Sequence, residues 1–342
     1  MVKFKILKTL KWITISFFTL IFISILGLTI NNRLYVLKYS KFDTNKDILT
    51  SDEIAAVKDV YEYLDSYGDD IFKGIKRSTD LIIFNDSYEF LICNNEVASG
   101  WNFISSNADL NKNIYNRKAD NPQAFAAFVG DKWIGSMSTK NRLNKYIVNS
   151  VPVFFPPQII IVDDEQYKAV IIHEMVHAYE ANNNNARFVK IQTLHDICEN
   201  YYDNQTFNEI MAQEAYYLEL AISAPKYEDV LDYSKKFLEL RERRRKECKM
   251  SMIEIQNEVD FEWLEGLARY AEYKASTNSN SMVAKNLLDI DQKVKIKGDE
   301  RYYTLGMAQA LILDKLHKDW KDFVFTDDFS MEEYMKGICF SD

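Results

Sequence analysis

The chain reads as an α+β protein: a mixed α/β lobe over residues 41–165, a mainly helical lobe over 166–342, and one membrane-spanning helix ahead of both. Three observations predict this. A charge-free apolar run, Trp12 to Ile30, follows a basic start. Short strand-like runs separated by turn residues come next. Beyond them the apolar period becomes helical and stays so to the end.

The apolar run is preceded by Lys3, Lys5, Lys8 and Lys11, and its nineteen residues match one helix across a bilayer. A cleavable signal peptide would have a shorter apolar core of ~7 to 15 residues and a small-residue cleavage site, neither of which is present. The reading is therefore a basic cytoplasmic tail at 1–11, a retained anchor at 12–30 and the remainder outside the cytoplasm, with the orientation set by the excess of lysines before the span. The first forty residues carry six basic groups and no acid, so a chain of net charge −9 leaves −15 on residues 41–342. A domain this acidic lacks the basic footprint of nucleic-acid binding, and that class is excluded. A hydrophobic content of 47% describes a folded chain with a substantial core. Cys93, Cys198, Cys248 and Cys339 are widely spaced with no C-x-x-C pattern. They read as structural or free thiols, or as disulfides that sequence cannot pair, and not as metal ligands.

In order along the chain, Thr50-Ser51-Asp52-Glu53 is a capping box opening an amphipathic helix to about Tyr67. Residues 80–84, 88–93, 124–129, 133–137 and 158–162 read as strands, with Gly130-Asp131 as a hairpin turn between two of them. The stretch 94–123, rich in Asn, Asp and Ser, reads as loop, and Pro152, Pro156 and Pro157 punctuate the approach to the last strand. Helices are expected over 207–223, 227–248, 251–276 and 302–320, broken by Ala224-Pro225, by Thr277 to Ser281 and by Gly298. The basic run Arg241, Arg243, Arg244, Arg245, Lys246 reads most simply as a solvated helix face, and otherwise as a grip on an acidic substrate end or lipid headgroups.

The helical part opens on His173-Glu174-Met175-Val176-His177, inside an apolar helix from Tyr167 to Asn182. Histidines four apart share one helical face and can reach a single ion. Asp163, Asp164 and Glu165 suit its N-terminus, and the asparagines at 182–185 suit a left-handed C-cap. A tetrahedral zinc held by two histidines and one further protein ligand keeps an open position for water, lowers that water's pKa towards ~7 and leaves Glu174 as the base. A third donor is needed. The short metzincin pattern would place Gly at 180 and His at 183, where this chain has Glu180 and Asn183, so that class is excluded. Glu265, Glu214, His195 and Asp196 remain as candidates.

The segment Trp263-Leu264-Glu265-Gly266-Leu267-Ala268-Arg269-Tyr270 resembles the W-L-x-E-G-x-A-x-Y helix of the gluzincin metallopeptidases, especially the aminopeptidase N class, with one residue fewer between leucine and glutamate. Tyr303-Thr304-Leu305-Gly306 is similar to the Y-x-x-G segment of the same family. The resemblance implies a zincin-like catalytic core, Zn2+ held by His173, His177 and Glu265, Glu174 as general base, and Tyr303 as the donor to the oxyanion, with Tyr302, Tyr270 and Tyr273 as alternatives. It covers three short segments in one order, and His177 and Glu265 are 88 positions apart, so a helical hairpin must be accommodated between them. The G-x-M-E-N motif that binds a free substrate amine is absent, so aminopeptidase activity is not implied. The expectation is a membrane-anchored extracytoplasmic zinc metallopeptidase acting on a peptide or protein, with 124–129 or 133–137 as an edge strand able to pair with extended substrate. The alternatives are a membrane-tethered binding or assembly protein with structural or absent metal, and a zinc hydrolase of a non-peptide bond.

Overall fold

The computed structural model describes residues 2–77, 80–95, 100–152, 155–327 and 329–340. Helix α1 (Val2–Ser40) is unbroken, and its stretch Trp12–Ser40, of mean hydropathy 2.4, is long and apolar enough to cross a membrane. It runs ten residues past Ile30 before ending. Helix α2 (Ser51–Ile71) starts at the expected capping box: Thr50 N–H donates to Glu53 at 2.8 Å and its hydroxyl accepts from Glu53 N–H at 3.3 Å.

Six strands follow: β1 (Leu81–Phe84), β2 (Tyr88–Cys93), β3 (Asn102–Asn107), β4 (Lys112–Lys118), β5 (Phe125–Val129) and β6 (Lys132–Ser138). They form one sheet in the order β3-β4-β2-β1-β6-β5, with β1 and β6 parallel and every other pair antiparallel. Alternation decides the faces: Leu81 and Ile83 join the main core, while Ile82, Leu91 and Ile134 pack on the other side.

Three expectations fail here. The stretch read as loop contains β3 and β4, and β4 pairs with β2 from Tyr88↔Lys118 to Cys93↔Asn113. Its polar composition hid them because β3 is an outer strand with no strand beyond it and lies largely in solvent; residues 96–99 lie outside the described residues. The expected strand at 158–162 is instead a single 3-10 turn at Pro157–Ile159, with Val162 paired to a side chain. The Asn144 amide donates to Val162 O at 3.0 Å and accepts from Val162 N–H at 2.8 Å, so no sheet partner is needed. Asn144 belongs to α3 (Lys140–Ser150), a helix the sequence reading did not anticipate. Finally, β6 is paired on both sides, so of the two strands considered for substrate pairing only β5 is an edge.

The helical part comprises α4 (Asp164–Asn183), α5 (Asn185–Ile191), α6 (Gln205–Ser223), α7 (Tyr227–Glu247), α8 (Met252–Ala275), α9 (Met282–Lys285), α10 (Ile290–Val294), α11 (Glu300–Leu316) and α12 (Met331–Cys339). Helix α4 lies on the sheet and is fixed from both ends. At its start Asp163 accepts from Gln166 N–H at 2.7 Å and also from Asn280 and Ser281 N–H at 2.8 and 3.1 Å, tying it to the segment after α8. At its end Asn184 is not left-handed (φ −142°); its side chain caps α5, accepting from Arg187 N–H at 3.3 Å. Halfway along, Gly135 of β6 touches the helix: a Cβ there would stand 2.9 Å from Glu174 O.

The basic run on α7 is not a solvated face. Arg241, Arg244 and Arg245 are buried, spaced so that they share one side of the helix, while Arg243 and Lys246 point outward. Their counter-charges come from other helices. Arg244 donates to Glu214 of α6 and Glu258 of α8, each at 2.6 Å; Arg241 grips Glu262 of α8 with bonds of 2.6 and 2.8 Å; Arg245 holds Glu332 of α12 with two of 2.8 Å. All four cysteines are free thiols, three of them buried.

Candidate metal centre

The site forms where two polar stripes on apolar helices face each other. On α4 the stripe is Gln166, His173, His177 and Glu180; on α8 it is Glu265, Arg269 and Glu272. Spacings of 3, 4 and 7 keep each set on one face. The helices run antiparallel, so Gln166 donates to Glu272 at 2.8 Å while the histidines meet Glu265 further along. The expected third donor is thus beside the motif despite its distance in sequence.

Three atoms converge. His173 Nε2 and His177 Nε2 are 3.2 Å apart, and Glu265 Oε2 is 3.7 and 3.6 Å from them. A point equidistant from the three lies about 2.0 Å from each, the length of a zinc bond to an imidazole nitrogen or a carboxylate oxygen. These three residues could hold a metal ion. The other nitrogens are also addressed: Glu180 Oε2 lies 2.9 Å from His177 Nδ1, and Glu272 Oε2 lies 3.3 Å from His173 Nδ1, off the line of a full hydrogen bond. Carboxylates behind metal-binding imidazoles fix the tautomer and turn Nε2 toward the ion.

Burial gives the site a direction and its electrostatics. His173, Glu174 and Glu265 keep 8%, 9% and 8% of their surface, against 1% for His177 and 0% for Glu180, so what solvent contact the group has is at the first three and Glu180 is on the closed side. Burial, with Glu265 and Glu272 nearby, raises the Glu174 carboxyl above its usual range although both imidazoles oppose this. Burial lifts Glu180 to about 7 despite His177. Burial would also raise Glu272, but Arg269, His173 and Gln166 hold it down to about 2. Burial would depress His177, yet Glu265 and Glu180 push it well up; Glu265 is correspondingly held well below the carboxylate range.

Helix α11 supplies a third wall. A Cβ on Gly266 would fall 2.5 Å from Gly306 Cα, and one on Gly306 2.3 Å from Glu262 O, so α8 and α11 cross backbone to backbone. Tyr303, one turn before Gly306, is thereby brought to Glu265; burial and that carboxylate both raise its phenol. Tyr270 donates to Asp314 at 2.7 Å instead, and Tyr302 is fully buried beside Cys198. Arg269, which the sequence reading did not single out, lies over the Tyr303 ring at 5.4 Å and pairs with Glu272 at 3.1 Å. Its spacing of four from Glu265 was the available signal. The other third-donor candidates are elsewhere: Glu214 is in the arginine network, His195 is exposed, and Asp196 has its N–H on Asp299 at 2.7 Å and its carboxylate accepting from Tyr202 at 3.1 Å.

The edge strand β5 ends the enclosure. Phe125 packs on His177 with ring centroids 4.6 Å apart and stacks on Phe188 at 5.3 Å. Compared with protein-family models, curated proteins and solved structures, the chain matches none of them.

Proposed function

We propose that this chain is a membrane-anchored, extracytoplasmic zinc metallopeptidase with a gluzincin-like site on a zincin-like core. The observation that carries the reading is the convergence of His173 Nε2, His177 Nε2 and Glu265 Oε2 next to Glu174, a buried carboxyl of raised pKa. Zinc held by these three would supply Lewis acidity and acidify water at the site. Glu174 takes the proton of the attacking water on its carboxylate and hands it to the departing amine. Glu180 and Glu272 hold the imidazoles in place from behind. Tyr303, whose phenol interacts with Glu265 and lies under Arg269, would donate its O–H to negative charge growing on the carbonyl oxygen. An extended peptide pairing with the free edge of β5 would pass beside His177, which favours a polypeptide substrate over a small ester or amide.

A structural metal, as in a tethered binding protein, is normally closed by four protein ligands, whereas among the described residues this group offers three. The test is zinc content of the purified protein beside His177→Ala, Glu265→Ala and Glu174→Gln. One zinc in the wild type and in Glu174→Gln, lost in both ligand variants, with peptide hydrolysis abolished in Glu174→Gln, supports the proposal. Hydrolysis retained in Glu174→Gln removes the mechanism, and a wild type that takes up no zinc makes the binding-protein reading the better one.

A further inference from the structure

Helix α1 does not end where its charge-free run ends. Trp12 to Ile30 spans ~28 Å at 1.5 Å per residue, close to the ~30 Å of a bilayer's hydrocarbon. The next turns pack on the domain. Asn31 donates to Gln158 Oε1 at 2.7 Å, and buried Asn32 reaches the carbonyls of Pro152 and Phe155 at 3.4 and 3.3 Å. Higher up, Lys145 of α3 donates to Thr44 at 3.1 Å. Helix α3 therefore descends alongside α1, and the segment after it lies level with the end of the span.

That segment has the composition of a lipid contact. Among its described residues from 151 to 161 are Val151, Pro152, Phe155, Pro156, Pro157, Ile159, Ile160 and Ile161, and the one polar residue is Gln158. Most of these apolar side chains are incompletely covered by protein. On the uncovered face of α1, Ile30, Leu34 and Leu37 are 53%, 61% and 55% exposed, and Tyr146 of α3 is 73% exposed. Arg33 and Lys38 lie on the same last turns of α1, and Lys41 just beyond its end. An apolar stripe that continues past the span, flanked by tyrosine and basic groups, fits the headgroup boundary of an anionic bilayer.

We infer that residues 151–152 and 155–161, the outer face of α1 beyond Ile30 and Tyr146 form one docking surface that seats the domain on the lipid bilayer. This rests on the anchored reading of α1. The segment leads directly into α4, so the HExxH helix starts at the membrane and His173 lies about 14 Å along it from Asp164. The domain is then not on a free tether: the bilayer fixes the height of the site.

The test uses the full chain in vesicles of 7:3 phosphatidylcholine and phosphatidylglycerol. With Cys248 replaced by Ser and the other thiols buried, an environment-sensitive fluorophore is placed in turn at Gln158→Cys, Tyr146→Cys and Met252→Cys. Met252 is a 79% exposed control in the first turn of α8, at the opposite end of the α4–α8 pair. Shallow spin-labelled lipid should quench probes at 158 and 146 at least about threefold more than the probe at 252. Equal quenching at all three sites, with the chain still in the carbonate-washed vesicles, overturns the docking surface and leaves the anchor standing. Release of the chain by the carbonate wash overturns both.

Discussion

Replacing Glu180 with leucine separates the proposed metal centre from the fold that carries it. Glu180 is fully buried, with Oε2 2.9 Å from His177 Nδ1 and Oε1 unpartnered. For His177 to bind an ion through Nε2, its proton must sit on Nδ1, and Glu180 is the acceptor that keeps it there. A hydrogen bond to a charged group contributes ~1.5–3 kcal/mol net, which corresponds to roughly 10- to 100-fold in metal affinity. Glu180→Leu should therefore weaken zinc binding by about that factor in a competition titration against a chromophoric chelator, and Glu180→Gln, whose amide oxygen still accepts, should lose less. The metal-free fold should not weaken in parallel. Burial has raised this carboxyl to about 7, so above that pH its charge opposes folding, and leucine removes the burden. Zinc affinity within about threefold of wild type in Glu180→Leu, with an unchanged thermal transition, would refute the assigned role.

Arg244→Met leaves Glu214 and Glu258 buried without their closest counter-charge, both at 2.6 Å, and should cost ~3–5 kcal/mol in urea unfolding; a loss below about 1 kcal/mol would mean that the network rearranges freely. Gly306→Ala puts a methyl 2.3 Å from Glu262 O, a backbone atom with nowhere to retreat, and should destabilise by at least ~1–3 kcal/mol while weakening zinc binding through displaced Glu265; full zinc affinity in a soluble variant would contradict this crossing. For pH, His173, His177, Glu174 and Glu180 all have raised folded-state pKa values, so the native state binds more protons around neutrality. Metal-free stability should then fall as pH rises through 7. Glu272, at about 2, and Glu332, held still lower, are depressed groups whose stabilisation is present above the unfolded value of ~4.3 and lost as pH falls beneath it. Denaturation midpoints for the chelated protein should peak in mildly acid solution, and a rise from pH 6 to 8 would show the signs to be wrong.

What could be read from the sequence was local. The H-E-x-x-H spacing forces two imidazoles onto one helical face, and the alternation in residues 80–93 and 124–138 marks β1, β2, β5 and β6. What could not be read depends on partners far along the chain. Strand β4 carries only Ile114 and Tyr115 as apolar residues among Asn, Lys and Arg, and they are buried only because β4 pairs with β2 on one edge and β3 on the other. Ile159 to Val162 has strand composition, but Pro156 and Pro157 set a turn and Asn144 takes the backbone groups a neighbouring strand would need. Arg241, Arg244 and Arg245 look solvated until four glutamates from three other helices arrive. The sequence reading singled out neither Glu180 nor Glu272 as a partner of the histidines, because only the antiparallel packing of α4 on α8 and the turn of α4 itself give them imidazoles to hold.

The arginine network bears on the candidate metal centre through one residue. Glu262 lies one turn before Glu265 on α8; Arg241 grips its carboxylate from α7, Gln309 donates to it from α11 at 2.7 Å, and its carbonyl meets Gly306. Buried ion pairs contribute little net stability compared with apolar packing, so stability alone does not account for three arginines and four glutamates in a core. Geometry does. Apolar helices can slide past one another at small cost, whereas a bidentate arginine accepts one register. Three donor atoms spaced 3.2 to 3.7 Å apart lose their common centre if α8 shifts by even ~1 Å against α4. The charges around Glu262 fix α8 one turn before the site, and the glycine crossing fixes its depth. Between them they hold Glu265 where the histidines of a helix 88 residues earlier can share an ion with it.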